Sequence, residues 1–290
     1  MRPMSKEKSL RLVPVSPLAA LVLAGCGGGG GGSANLNTGS GTTTSTVGGA
    51  VVKGPLDNAF VFIDYDGDGL FDEGVEPSTT TDADGKYSLQ STDPDAAIVV
   101  TTSGDTIDTS SGTVLSGVKL SAPAGASVVT PFTTLAQEGG LAVDDVARVL
   151  GLPDGVDPLS FNPFAADADA DLALDVEAIA QQVMTTIKTV SAASEGAGVD
   201  ADTAFSQALL SVVDVVQTKA SSGASIDFSN EDDLGAINDA ASTKIDELVS
   251  AETIDASVKS TFDALKTDLV AAVKNVNTQT QTAIAEAKTA

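Results

Sequence analysis

Val129-Thr130-Pro131-Phe132-Thr133-Thr134-Leu135 is the stretch at which the chain changes period. Pro131 has a fixed φ and no N–H, which suits the first helical position after a Thr cap. Upstream lie short β-branched or aromatic runs: Ala50-Val51-Val52, Ala59-Phe60-Val61-Phe62-Ile63, Ala97-Ile98-Val99-Val100-Thr101 and Val114 to Leu120. Turn residues separate them, among them Asp82-Ala83-Asp84-Gly85, which reads as a hairpin turn between Thr79-Thr80-Thr81 and Lys86-Tyr87-Ser88-Leu89. Downstream the apolar residues recur every three or four positions. The pattern predicts a multidomain β + α chain: a small β-sandwich over 50–129, then an antiparallel helical bundle over 130–290, each with its own core.

In the helical half, Leu141 to Leu150 reads as a short helix ended by Gly151-Leu152-Pro153. Leu172, Val176, Ile179, Val183, Ile187 and Val190 form one stripe, and Phe205, Leu209, Val212 and Val216 the next. Leu234, Ile237, Ala241, Ile245 and Leu248 form a third. The last runs from Ile254 through Val258, Phe262, Leu265, Leu269, Val273 and Val276 to Ile284. A bundle burying its own stripes competes with a coiled-coil oligomer and with a lipid-binding face. The polar faces lack the Lys and Arg of membrane-surface helices. The acidic run Asp167-Ala168-Asp169-Ala170-Asp171 reads as a helix start, as does Asp144-Asp145.

Composition removes several function classes. The 290 residues contain no His, no Trp and one Cys, so His-dependent triads and intrachain disulfides are excluded. Fifteen bases face 40 acids, for a net charge of -25. Such a surface repels nucleic acid and attracts cations.

One segment carries metal-ligand spacing: Asp64-Tyr65-Asp66-Gly67-Asp68-Gly69-Leu70-Phe71-Asp72-Glu73-Gly74-Val75-Glu76. Asp at positions 1, 3 and 5, Gly at 6 and Asp at 9 match the EF-hand type of calcium loop. Calcium takes six to eight oxygens, and this spacing wraps carboxylates around one point. The expected metal set is Asp64, Asp66, Asp68, the Leu70 carbonyl, Asp72 and Glu76. The pattern departs at position 12, where Val75 stands; Glu76 is one place late and Glu73 early. A solvated acidic turn without an ion is the competing reading.

Val52-Lys53-Gly54-Pro55-Leu56, Val61-Phe62-Ile63-Asp64 and Thr81-Asp82-Ala83-Asp84-Gly85-Lys86-Tyr87-Ser88-Leu89 together resemble the prealbumin-like repeats of bacterial surface proteins, the carboxypeptidase-regulatory-like and SdrD/Cna B-type domains. The resemblance spans about residues 48–125. It implies a seven-stranded sandwich used for stalk or display, often with bound calcium.

The first 25 residues read as a targeting segment, basic to Arg11 and then apolar from Leu12 to Ala24. Leu23-Ala24-Gly25-Cys26 resembles the lipobox of bacterial lipoproteins, which implies a signal peptide over 1–25, acylation of Cys26 and a lipid anchor. Gly27 after the Cys implies, by the same resemblance, outer-membrane placement. Removing the leader takes away four bases and one acid, leaving 11 bases against 39 acids, a net -28. Residues 26–49, nearly all Gly, Ser, Thr, Asn and Ala, read as a flexible tether.

The expectation is a non-enzymatic, calcium-binding lipoprotein of the outer membrane or cell surface. Its partners would be the membrane through the lipid anchor and another protein or a surface polymer, with no nucleic acid. The alternative is a surface or periplasmic carrier holding a small hydrophobic ligand in the helical half.

Overall fold

The computed structural model describes residues 44–289. Cys26, the leader and the tether up to residue 43 lie outside the described residues. The first strand, β1 (Ser45–Val51), begins inside the stretch assigned to the tether by composition. Ser45 to Gly49 pairs antiparallel with the strand Lys86–Ser91, from Ser45 against Ser91 to Gly49 against Tyr87. Composition misassigns this segment because its two glycines serve close packing. A Cβ on Gly49 would meet Ser127 O at 2.6 Å and the Tyr87 hydroxyl at 2.9 Å.

After β1 come β2 (Leu56–Asp57), β3 (Phe60–Asp64), β4 (Ser78–Thr80), β5 (Lys86–Ser91), β6 (Ala97–Thr101), β7 (Ile107–Asp108), β8 (Thr113–Val114), β9 (Lys119–Ala122) and β10 (Val128–Val129). They form three sheets, ordered β10-β1-β5, β2-β7-β8 and β4-β3-β6-β9. The Asp82–Gly85 turn is made: Asp82 Oδ1 accepts from Asp84 N and Lys86 N, and Gly85 takes φ +75°. It is not a hairpin, however. Strand β4 pairs with β3 and β5 pairs with β1, so the turn carries the chain from one sheet to another. Tyr87 and Leu89 of β5 and Val61, Ile63, Ile98 and Val100 of β3 and β6 enter one apolar cluster. On the opposite side of β3, Phe60 and Phe62 meet Phe71.

Six helices follow: α1 (Pro131–Gly139), α2 (Val143–Leu150), α3 (Ala170–Ala197), α4 (Ala201–Ser222), α5 (Glu231–Ser250) and α6 (Ala256–Ala287). The described chain is therefore mixed β and α. Cross-helix bonds fix the directions. Asp214 reaches Lys244 and Lys219 reaches Asp233, so α4 and α5 are antiparallel. Glu231 with Lys274, Asp239 with Lys266 and Ser242 with Asp263 set α5 antiparallel to α6. Thr186 with Asn277 and Asp175 with Lys288 do the same for α3 and α6. Each of α3 to α6 packs on two of the others, which closes a four-helix ring. On α6 the stripe is narrower than expected: Val258, Phe262, Leu269 and Val273 are buried, whereas Leu265 and Val276 are exposed. No described helix is long and apolar enough to cross a membrane.

The change from strand to helix falls at Thr130, but the core does not divide there. Thr130 closes a capping box with Thr133 at the start of α1. Thr133 Oγ1 and Thr134 Oγ1 both donate to Ser121 O, and Ser121 N donates to Thr134 Oγ1 at 3.0 Å. Ser121, on β9, is fully buried. Around this seam the apolar cluster runs unbroken from Val51 and Ile98 through Phe132 and Leu135 to Met184, Phe205 and Phe262. The described residues form one compact unit. The expectation of two separate cores is thus overturned, because α1 is bonded to β9 on one side and packs on α4 on the other.

Candidate metal centre

Strand β3 ends on Asp64, whose side chain is buried at the start of the loop 65–76. Its carboxylate organises the turn: Oδ1 accepts from Gly67 N at 2.8 Å and Oδ2 from Gly69 N at 2.9 Å. Both glycines lie in the left-handed region, at φ +78° and +72°, which costs a residue with a Cβ. Asp66 Oδ1 accepts from Asp68 N, and Asp68 Oδ1 from Leu70 N. These short-range bonds turn alternate side chains to one side of the loop. Carboxylate oxygens of Asp64, Asp66 and Asp68 come within 4.8 Å of one another.

The remaining expected ligands are placed differently. The Leu70 side chain is exposed, and its carbonyl accepts no hydrogen bond among the described residues. Asp72 and Glu73 are exposed and outside the three-carboxylate cluster. The Asp72 carbonyl accepts from Val75 N and Glu76 N in a second turn. Glu76 is only 6% exposed and is also outside the cluster. Its Oε1 accepts from Tyr65 N at 2.7 Å and its Oε2 from Asp72 N at 3.0 Å, so it ties the two ends of the loop together. Tyr65 anchors the first end, its hydroxyl accepting from Thr92 N. Phe71 anchors the middle, edge-on to Phe60 at 5.0 Å between centroids.

Two residues far away in sequence reach the same place. Lys119 and Glu138, with Asp64, Asp68 and Gly69, line a polar cavity of about 260 Å³. A Cβ on Gly69 would come to 2.2 Å from Lys119 Nζ, yet Lys119 forms no ion pair among the described residues. Glu138 Oε1 accepts from Ser121 Oγ at 2.8 Å. No sequence signal marks either residue, since both depend on β9 and α1 meeting beside the loop.

The three convergent side chains, Asp64, Asp66 and Asp68, are all carboxylates and could together hold a metal ion. The other acidic runs serve as helix starts, as expected. Asp169 caps α3, accepting from Leu172 N at 2.9 Å, and Asp144 and Asp145 occupy the first turn of α2. Compared with known proteins, the chain matches no family model, no curated protein and no solved structure.

Proposed function

We propose that the protein is a calcium-binding lipoprotein of the outer membrane or cell surface, held by acylated Cys26, that works by display and contact and not by catalysis. The observation that carries this reading is the convergence of Asp64, Asp66 and Asp68 on a loop shaped by two left-handed glycines. In the proposed site these three carboxylates, the Leu70 carbonyl, Asp72 and Glu76 surround one calcium ion within a small β-sandwich of prealbumin-like type. Three carboxylates held this close repel one another, and a divalent ion removes that repulsion. Glu76 can keep its backbone bonds while lending its remaining lone pairs to the ion, since a carboxylate accepts about four bonds. The absence of His and the acidic surface favour binding over chemistry. The partner is another protein or a surface polymer.

Two measurements test this. Calorimetric titration of the purified protein should show one calcium per chain, with magnesium a poor substitute because it requires tighter octahedral geometry. Labelling cells with a radioactive fatty acid should mark the wild type and not Cys26→Ser. A wild type that takes up neither calcium nor label contradicts the reading.

A further inference from the structure

A cleft of about 600 Å³ opens between the end of α2, the first half of α3, the connection before α5 and the last turns of α6. It is far in sequence from the acidic loop and owes nothing to it. Its apolar walls are Leu150, Ile179, Ile226, Phe228 and Ile284. The volume lies within the ~300–1,000 Å³ usual for small-molecule sites, which pair apolar walls with a few placed polar groups.

Gln182 supplies such a group. The residue is only 6% exposed and lines the cleft. Its backbone carbonyl accepts from Thr186 Oγ1, but its side-chain amide has no partner among the described residues. Unlike Asn277 Oδ1, the amide is not sealed from solvent, and the residue lines the cleft. Neighbouring amides are used: Gln181 Nε2 donates to Glu177 at 2.6 Å, and Asn277 Nδ2 donates to Phe228 O at 2.8 Å. An amide that lines a cleft and has no protein partner among the described residues leaves a donor and an acceptor for a ligand.

Charge narrows the ligand. At the rim, Lys288 is paired with Asp175 at 2.6 Å, and Asp227, whose carboxylate accepts from Ser229 N, forms no ion pair among the described residues. With a net charge of -25 over the chain, the cleft disfavours anions. We propose that it binds a neutral amphiphile: an apolar body that fills the groove and a carboxamide-like end that both donates to and accepts from Gln182.

The test uses the full protein and the neutral dye N-phenyl-1-naphthylamine. The wild type should bind the dye saturably. Octanamide should displace it, with octanoate weaker by about tenfold or more. Ala285→Trp, which fills the cleft from an exposed wall position, should abolish dye binding while leaving the helical spectrum and melting unchanged. Gln182→Leu should keep the dye, lose the preference for octanamide, and melt no lower than wild type. The proposal is overturned if the wild type binds no dye, or if Ala285→Trp binds it as well. It is equally overturned if octanoate competes as well as octanamide, or if Gln182→Leu melts lower and still prefers the amide.

Discussion

Tyr87 carries a buried hydroxyl with no hydrogen-bond partner among the described residues, pressed against the backbone of Gly49. Burial alone pushes its pKa well above the ordinary tyrosine value. Removing the oxygen removes an unsatisfied group and keeps the ring, so Tyr87→Phe should stabilise the protein by about 1 kcal/mol, read as a rise in denaturation midpoint. Glu177 on α3 offers a residue-level test with pH. Burial is the main cause of its raised pKa; hydrogen bonding from Gln181 and the charge of Lys53 oppose it, and Asp108 adds to it. A carboxyl whose folded pKa is raised binds its proton more tightly when folded. Its contribution is fully present below the unfolded value and is lost as pH rises through the folded one. Glu177→Gln should therefore melt above wild type at pH 7, and the difference should shrink to nothing near pH 4. An unchanged difference across that range would show that burial of the charge is not the cause.

Between elements, the decisive joint is that of β9 with α1. Thr134 both donates to and accepts from the Ser121 backbone, in a place without access to water. Thr134→Val keeps the shape and strands a buried N–H, so it should destabilise the protein by about 1–3 kcal/mol in denaturant unfolding. This joint shows where reading by periodicity succeeds and where it stops. Pro131 and Thr130 announce the helix start, because capping is local in sequence and the structure uses it as such. That Thr133 and Thr134 bond back to β9 depends on a strand twelve or more residues earlier, which no local pattern carries. The same limit explains the Asp82–Gly85 turn. Its own bonds are local and were readable, but the partners of β4 and β5 were not. In the candidate metal centre, the one-three-five carboxylates and Gly69 were legible as a unit. The place of Glu76 at the loop ends, and the arrival of Lys119 and Glu138, were not.

For the whole molecule, strands and helices share one apolar cluster, and this has a thermodynamic consequence. Residues 44–289 should unfold as one cooperative unit, giving a single calorimetric transition whose van't Hoff and calorimetric enthalpies agree. Two separated transitions would restore the division into independent modules. The shared core also means that an ion bound in the loop stabilises the helices along with the strands. Extracellular calcium modules bind at about 10⁻⁴–10⁻³ M. Calcium at 10 mM, about 10 to 100 times that constant, adds about 1.4–2.7 kcal/mol to a state that alone binds it. For a unit of this size that corresponds to a melting rise of about 3–10 °C. The most direct measurement is the melting temperature of the full protein in 10 mM calcium and in chelator, for wild type and for Asp66→Ala with Asp68→Ala. A rise of that size in the wild type, absent in the double variant, is the expected result. Equal melting of the wild type in calcium and in chelator would contradict the calcium site.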